Sequence, residues 1–380
     1  MTTIKLTGLA IWSSICIGVF PNDLLAFHDG GVASCSMCHI MHRGSEGFEV
    51  PPTIENNFLL LSETPTDLCL SCHSSENGAV WSVNPLTPAP ERGGGNFIFG
   101  TAPNLNDGPD GAMHPLAGSH GIHNCIALSN GVFQDPLNNV APGGTYPSAS
   151  LGCTSCHDPH GNENFRMLWG AGHVQAGDFY FMYPAPQADG LPLNGAAESR
   201  ANHTAYRSGW TNWCANCHGF FHENQAFGFA HPVRGTLGAD VMTSYDRYNG
   251  TGDPTGGTPL NAYIPQVPFQ SLSITTTSTN GPDKRSEIAC ITCHRAHGSS
   301  AVDLGRWDFR VLNLRMDGVV SGSFPLPSPY SSGTIERQLC VKCHEPEARD
   351  HGFDQACVAC HRGELETSTP LPTGVARPAK

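Results

Sequence analysis

Seven times the chain repeats two cysteines, separated by two residues and followed at once by a histidine: Cys35/Cys38/His39, Cys69/Cys72/His73, Cys153/Cys156/His157, Cys214/Cys217/His218, Cys290/Cys293/His294, Cys340/Cys343/His344 and Cys357/Cys360/His361. This spacing offers two thiols to the vinyl groups of one porphyrin and an imidazole to its iron, which is the attachment signature of haem c. Zinc knuckles and redox disulfides also use Cys-x-x-Cys, but neither requires a histidine directly after the second cysteine. Fourteen of the 16 cysteines are thereby committed to seven covalently attached haem c groups, leaving Cys16 and Cys125. Cys125 reads as a buried free thiol.

Each iron needs a second axial ligand. Of 19 histidines, seven are proximal and twelve remain: His28, His42, His114, His120, His123, His160, His173, His203, His222, His231, His297 and His351. Three residues span at most about 10 Å of extended chain, and on a helix positions i and i+3 share a face. Yet the two ligands of one iron approach from opposite faces of the ring. His42, His160 and His297, each three residues past a proximal histidine, and His222, four past, are therefore placed to serve a neighbouring haem. A single turn of chain then holds two porphyrins. Twelve histidines for seven irons allow bis-histidine ligation throughout, which leaves no vacant iron face for a substrate. No catalytic residue is assigned, and the pattern suits electron transfer rather than enzymatic turnover.

The elements that must position these groups are thinly signalled. The 380 residues include 43 Gly and 30 Pro against 39% hydrophobic residues, too little for a polypeptide core of ordinary proportions. Porphyrins supply the missing apolar surface. The expected fold is mostly coil and loops, with short helices and few short strands wrapped around a chain of stacked haems. The interval from 74 to 152 is punctuated by turn-rich PLTPAPERGGG and PNLNDGPDG, and LGRWDFRVLNLRM, from Leu304, is the best strand candidate after the fifth motif. The net charge of −13, with only 14% charged residues, provides no basic stripe for nucleic acid.

The N-terminus predicts export: Lys5, an apolar stretch from Leu6 to Phe20, and Ala26 before a cleavage point define a signal peptide over 1–26. No later apolar run is long enough for a transmembrane span. Cys16 is discarded with the signal. The sixth and seventh motifs lie close in sequence, so their haems are expected to be neighbours, and 364–380 reads as a flexible tail.

The residues FHDGGVASCSMCHIMH from Phe27, APGGTYP before CTSCHDPHG, WCANCH with His222 and His231, CITCHRAH and LCVKCH resemble the OmcS-type extracellular multihaem cytochromes, which polymerise into nanowires. The resemblance covers the first six motifs, 27–345; the seventh, in a segment over 346–363, is additional. It implies bis-histidine ligation, with His28, His42, His123, His160, His222, His231 and His297 as distal ligands, to which His351 is added between the last two motifs. It also implies a homopolymeric filament in which His42 ligates the fifth haem, at Cys290, Cys293 and His294, of the adjacent subunit. Secreted, such a filament would pass electrons to an extracellular acceptor or redox partner cytochromes. Two other readings of the motifs stay open: a monomeric periplasmic shuttle, and a terminal reductase with one open haem at the second or seventh motif.

Overall fold

The computed structural model describes residues 35–40, 60–73, 94–97, 99, 121–174, 179–190, 199–219, 233, 235–250, 253, 255–265, 267–309 and 339–344, with backbone alone at 104–106 and 113–115. The first six motifs lie among them. The signal peptide, the seventh motif with Cys357, Cys360 and His361, the tail, and His28, His42, His120, His222, His231 and His351 lie outside.

Regular structure is sparse, as the composition predicts. Five α-helices are described: α1 Cys35–Cys38, α2 Pro65–His73, α3 Trp210–Cys214, α4 Gly238–Arg247 and α5 Cys290–Cys293. Six short strands form three antiparallel pairs: β1 Asn104–Asn106 with β2 Met113–Pro115, β3 Gly172–His173 with β4 Tyr180–Phe181, and β5 Gln187–Asp189 with β6 Ala205–Ser208. The strand expected from Leu304 onward does not form over the described part. Residues Val302–Leu304 make a 3-10 turn, and Gly305 pairs only with His294 as an isolated bridge. The remainder of that stretch lies outside the described residues.

Most of the helices are the motifs themselves. In the first, third, fourth, fifth and sixth motifs the histidine N–H closes one turn onto the carbonyl of the first cysteine, at 2.8 Å for His39 and 3.0 Å for His157, His218, His294 and His344, and the second motif lies within the longer α2. That turn brings both thiols to one side of the backbone, as attachment to a single ring requires. The longer α2 has local reasons to begin where it does. Pro65 sits at its first position, and the Thr64 hydroxyl accepts from the Asp67 N–H at 3.0 Å while donating to the Asp67 carboxylate at 2.8 Å.

The apolar interior is divided among four small clusters rather than gathered into one, and each packs against motif cysteines. One, around Tyr245, Phe269 and Trp307, touches Cys293, Cys340 and Cys343. A second, around Phe99 and Ile122, touches Cys153; a third, around Tyr206 and Trp210, touches Cys156; and a fourth, around Tyr146 and Phe181, touches Cys217. The polypeptide thus lines the places where porphyrin would be attached and contributes little core of its own.

Candidate functional site: the haem-binding motifs

Three pairs of imidazoles face one another across a gap of constant width. His39 and His160 have ring centroids 6.2 Å apart and nearly parallel planes. His123 and His218 are 6.1 Å apart, as are His157 and His297. With metal–imidazole bonds of about 2.0 Å, and the ring centre about 1.1 Å behind each nitrogen, two imidazoles on one iron have centroids about 6 Å apart. The observed gaps fit one metal atom each. In every pair one member is a motif histidine, of the first, fourth and third motif in turn, and the other is not.

The ring orientations fit as well. Nδ1 of His157 donates to the Arg166 carbonyl at 2.8 Å, Nδ1 of His218 to that of Pro142 at 2.7 Å, Nδ1 of His294 to that of Asp303 at 2.7 Å, and Nδ1 of His123 to that of Ala296 at 2.5 Å. A carbonyl can only accept, so each Nδ1 carries the proton and Nε2 keeps the lone pair a metal needs. Burial pushes the pKa of His218 down to about 4, helped by the neighbouring His123, and that of His297 down to about 3, helped by His157. Burial also lowers His123, His157 and His294. These rings are neutral, as ligands must be.

His203 takes another role. Its ring is buried, with Nδ1 3.2 Å from the Thr204 carbonyl and Nε2 3.0 Å from that of Ser278, which leaves no nitrogen for iron. His173 packs edge-on against Tyr180 at 5.2 Å. His114 lies on β2 opposite Leu105.

At the second motif the two thiols differ in exposure. Cys72 is exposed and joins none of the four apolar clusters; its Sγ lies 3.8 Å from the hydroxyl of Ser71, which is exposed too. The cause is helical phase. The buried side of α2 carries Thr66, Asp67 and Leu70, and Cys72, two residues past Leu70, points more than half a turn away from it. Cys69 stays partly buried and reaches the second cluster's Cys153. A porphyrin held at Cys72 would show its edge to solvent. Cys35, in the single turn of α1, is likewise exposed.

The APGGTYP segment holds the third and fourth motifs together. Its Pro142 carbonyl takes the His218 Nδ1–H. A Cβ on Gly144 would lie 1.6 Å from the Cys217 carbonyl oxygen, so only glycine fits there. Tyr146 donates its hydroxyl to Ser155 at 2.6 Å. Two further joints bring first cysteines together: Cys69 approaches Cys153, and Cys214 approaches Cys290, within thiol hydrogen-bonding range. A threonine three residues before the leading cysteine serves each joint. Thr66 accepts from the Cys153 N–H at 3.2 Å, and Thr211 contacts the Cys290 thiol. These threonines carried no signal that spacing alone would have picked out, although both stand at the same place, T-x-x-C-x-x-C-H. Burial pushes the thiols of Cys156, Cys217 and Cys293 up to about 12 and that of Cys343 up to about 11. Neutral thiols are poor nucleophiles for disulfide exchange. Cys125 is buried and free, as expected, and abuts Cys153.

The sixth motif is anchored by Lys342, which stands between its two cysteines and is fully buried. Its Nζ donates to the carbonyls of Tyr245 at 2.6 Å, Ala262 at 2.8 Å and Tyr248, and lies 3.7 Å above the Tyr245 ring. It thereby satisfies carbonyls left over at the C-terminal end of α4. Burial pushes its pKa down to about 7.

These motifs and their arrangement match known proteins. A family model of the doubled CXXCH motif matches residues 147–177. Two solved structures, described as cryo-EM of the OmcS nanowires and as the Outer Membrane Cytochrome S filament, both from Geobacter sulfurreducens, superpose with a TM-score of 0.64. The fold is that of the OmcS nanowire cytochromes. Sequence identity to those chains is 24% and 25%, covering 84% of this chain and 99% of each of them. The curated C-type cytochrome OmcS from the same organism is 28% identical, over 84% of this chain and 94% of its own length. The OmcS-like likeness supports covalent haem c at the CXXCH motifs. Among the described residues no helix is long and apolar enough to cross a membrane.

Proposed function

We propose that this chain is a secreted seven-haem electron-transfer cytochrome whose copies polymerise into a conductive filament. Cys35/Cys38, Cys69/Cys72, Cys153/Cys156, Cys214/Cys217, Cys290/Cys293, Cys340/Cys343 and Cys357/Cys360 hold the haems. His39, His73, His157, His218, His294, His344 and His361 are the proximal ligands. The distal ligands are drawn from His28, His42, His123, His160, His222, His231, His297 and His351. The haem iron supplies one-electron redox chemistry. The protein's own part is to set the distance between rings, to hold each buried imidazole neutral with Nε2 forward, and to limit the access of water.

One observation carries the filament. The histidine three residues past the third motif, His160, faces His39 of the first motif, and the one past the fifth, His297, faces His157 of the third. The step is always back to the preceding odd-numbered motif. His42 occupies the same place after the first motif, which has no predecessor in its own chain. At the fifth motif, the ring beside His294 is Phe309, edge-on at 5.7 Å, and no described histidine stands opposite it. His42 of one copy meeting the iron at His294 of the next would continue the step across the joint. The OmcS filaments support such a homopolymer. Electrons would then hop along the filament to an extracellular acceptor or redox partner, without enzymatic turnover.

Electron microscopy of secreted material tests this reading: wild type is expected to form filaments and His42→Ala to form none. Filaments that persist unchanged in the variant would remove the inter-subunit ligand, and a uniformly monomeric wild type would leave a soluble shuttle. Pyridine haemochrome assay should count seven haems per chain.

A further inference from the structure

Two stretches that share almost no side chains outside their motifs have the same backbone. After the third and the fifth motif alike, the proximal histidine Nδ1 donates to a carbonyl nine residues on, that of Arg166 from His157 and that of Asp303 from His294. The residue after the histidine bonds the following carbonyl: Asp158 N–H to Met167 at 2.8 Å, Arg295 N–H to Leu304 at 2.6 Å. The second cysteine is bonded in turn, Trp169 N–H to the Cys156 carbonyl at 2.9 Å and Arg306 N–H to that of Cys293 at 2.8 Å. Ser155 and Thr292 each cap the residue before the first cysteine, at 3.0 and 3.1 Å.

The further feature that the two stretches share is backbone strain. Arg166 and Met167 have φ of 53° and 56°, and Asp303 and Leu304 both have φ of 55°. These four are the non-glycine residues of positive φ among the described residues, and they fall as two consecutive pairs at the same place in the two stretches. L-residues avoid this left-handed region, and such strain persists only where the surroundings impose it. Here each pair turns a carbonyl toward Nδ1 of a proximal histidine, the nitrogen on the far side of the ring from the iron. His218 and His123 reach carbonyls without any such pair, so the device belongs to the third and fifth motifs.

We propose that the left-handed pairs Arg166–Met167 and Asp303–Leu304 are positioning residues that fix the tautomer, the ring plane and the basicity of His157 and His294, and so tune the third and fifth haems. A firm Nδ1–H···O=C bond makes the imidazole a stronger donor, which favours the oxidised iron and lowers the potential. This inference needs haem at those motifs but not the filament.

The test uses the haem-loaded full-length chain. Met167→Val and Leu304→Val put β-branched residues where the left-handed conformation is least tolerated, and Met167→Gly and Leu304→Gly keep it freely available. Each valine variant is expected to shift the g-values of one low-spin signal per chain in electron paramagnetic resonance. Each should also move one haem's share of the reductive titration to higher potential, while the glycine variants match wild type. Wild-type spectra and titrations in the valine variants, with haem content intact, would overturn the proposal; so would glycine variants that shift as far as the valine ones. Should a valine variant not load haem, Arg166→Gly/Met167→Gly and Asp303→Gly/Leu304→Gly are read instead. A broadened low-spin signal for one haem supports the proposal, and wild-type linewidth overturns it.

Discussion

The stretches following the third and the fifth motif are built alike and end differently. In both, a one-turn motif is capped by a hydroxyl, a proximal imidazole donates to a carbonyl nine residues later, and a second histidine leaves three residues past the first. At the third motif both histidines are partnered within the chain, since His157 faces His297 and His160 faces His39, with ring centroids 6.1 and 6.2 Å apart. At the fifth, His297 is spent inward and His294 faces no described histidine. The comparison teaches that local geometry sets how a histidine pair is presented. On the proposed ligand scheme, position in the series sets whether the partner belongs to the same molecule.

Exchanging the histidines tests that distinction with the largest effect. His297→Ala should convert one haem per chain from low to high spin whether or not the protein is assembled, because its partner His157 is internal. His42→Ala should leave one high-spin haem per chain, the same count as dissociated wild type, and abolish assembly. Equal spectra for His42→Ala and assembled wild type would break the comparison.

The glycine after each outgoing histidine should separate the two stretches further. A Cβ on Gly298 would stand 2.6 Å from the Ile122 side chain and 2.8 Å from the Asn96 carbonyl. Gly161 instead has φ of 95°. Gly298→Ala is expected to cost about 1–3 kcal/mol by overpacking, against about 1 kcal/mol of backbone strain for Gly161→Ala, read as denaturant midpoints followed by haem absorbance. A reversed order would show that the glycines do not differ in this way.

The joints leading into the two stretches should respond more weakly. Thr66→Val leaves the partly buried Cys153 N–H without its acceptor, at a cost of about 1 kcal/mol, whereas the Thr211 hydroxyl is buried without a well-formed hydrogen bond, so Thr211→Val should cost less. A larger midpoint shift for Thr211→Val than for Thr66→Val would reverse that order.

Acid should act gently on both. His218 and His297 are held neutral when folded, with values of about 4 and 3, whereas released imidazoles titrate near 6.5. Between those limits the unfolded chain binds more protons, so stability is full above about pH 6.5 and declines as pH falls toward 4 and 3. Midpoints measured at pH 7 and pH 4.5 should fall in that order.

Much of this was legible in the sequence because haem attachment is written in contiguous residues. The motif fixes two thiols and an imidazole in one turn, and a histidine three residues on cannot reach the same iron, so its outward role follows from chain length alone. The destination did not follow. That His160 turns back to His39 depends on how loops of tens of residues fold around rings that the sequence does not list. Nor does the motif say how deeply it is set: Cys72 and Cys156 hold the same place in it, yet one is exposed and the other packs against an apolar cluster. His123 was found by likeness to a family and not by spacing, since its place beside Ala296 and opposite His218 arises from long-range packing. The left-handed pairs were invisible for another reason. Arg, Met, Asp and Leu are not residues that advertise positive φ, and only the backbone shows it. The strand expected from Leu304 failed there, because the residues that looked extended are committed to the turn that seats His294.

The backward step of the outgoing histidines also orders events in time. On the proposed scheme, a chain exported from its N-terminus would present Cys35 and Cys38 for attachment long before His160 has emerged, and Cys153 and Cys156 before His297. The haems of the first and third motifs would then be fastened while one face of each iron is still bare, and be closed only when a later part of the chain arrives. Maturation would advance with an unfinished site trailing it, and the site at the fifth motif would be finished only by meeting another molecule.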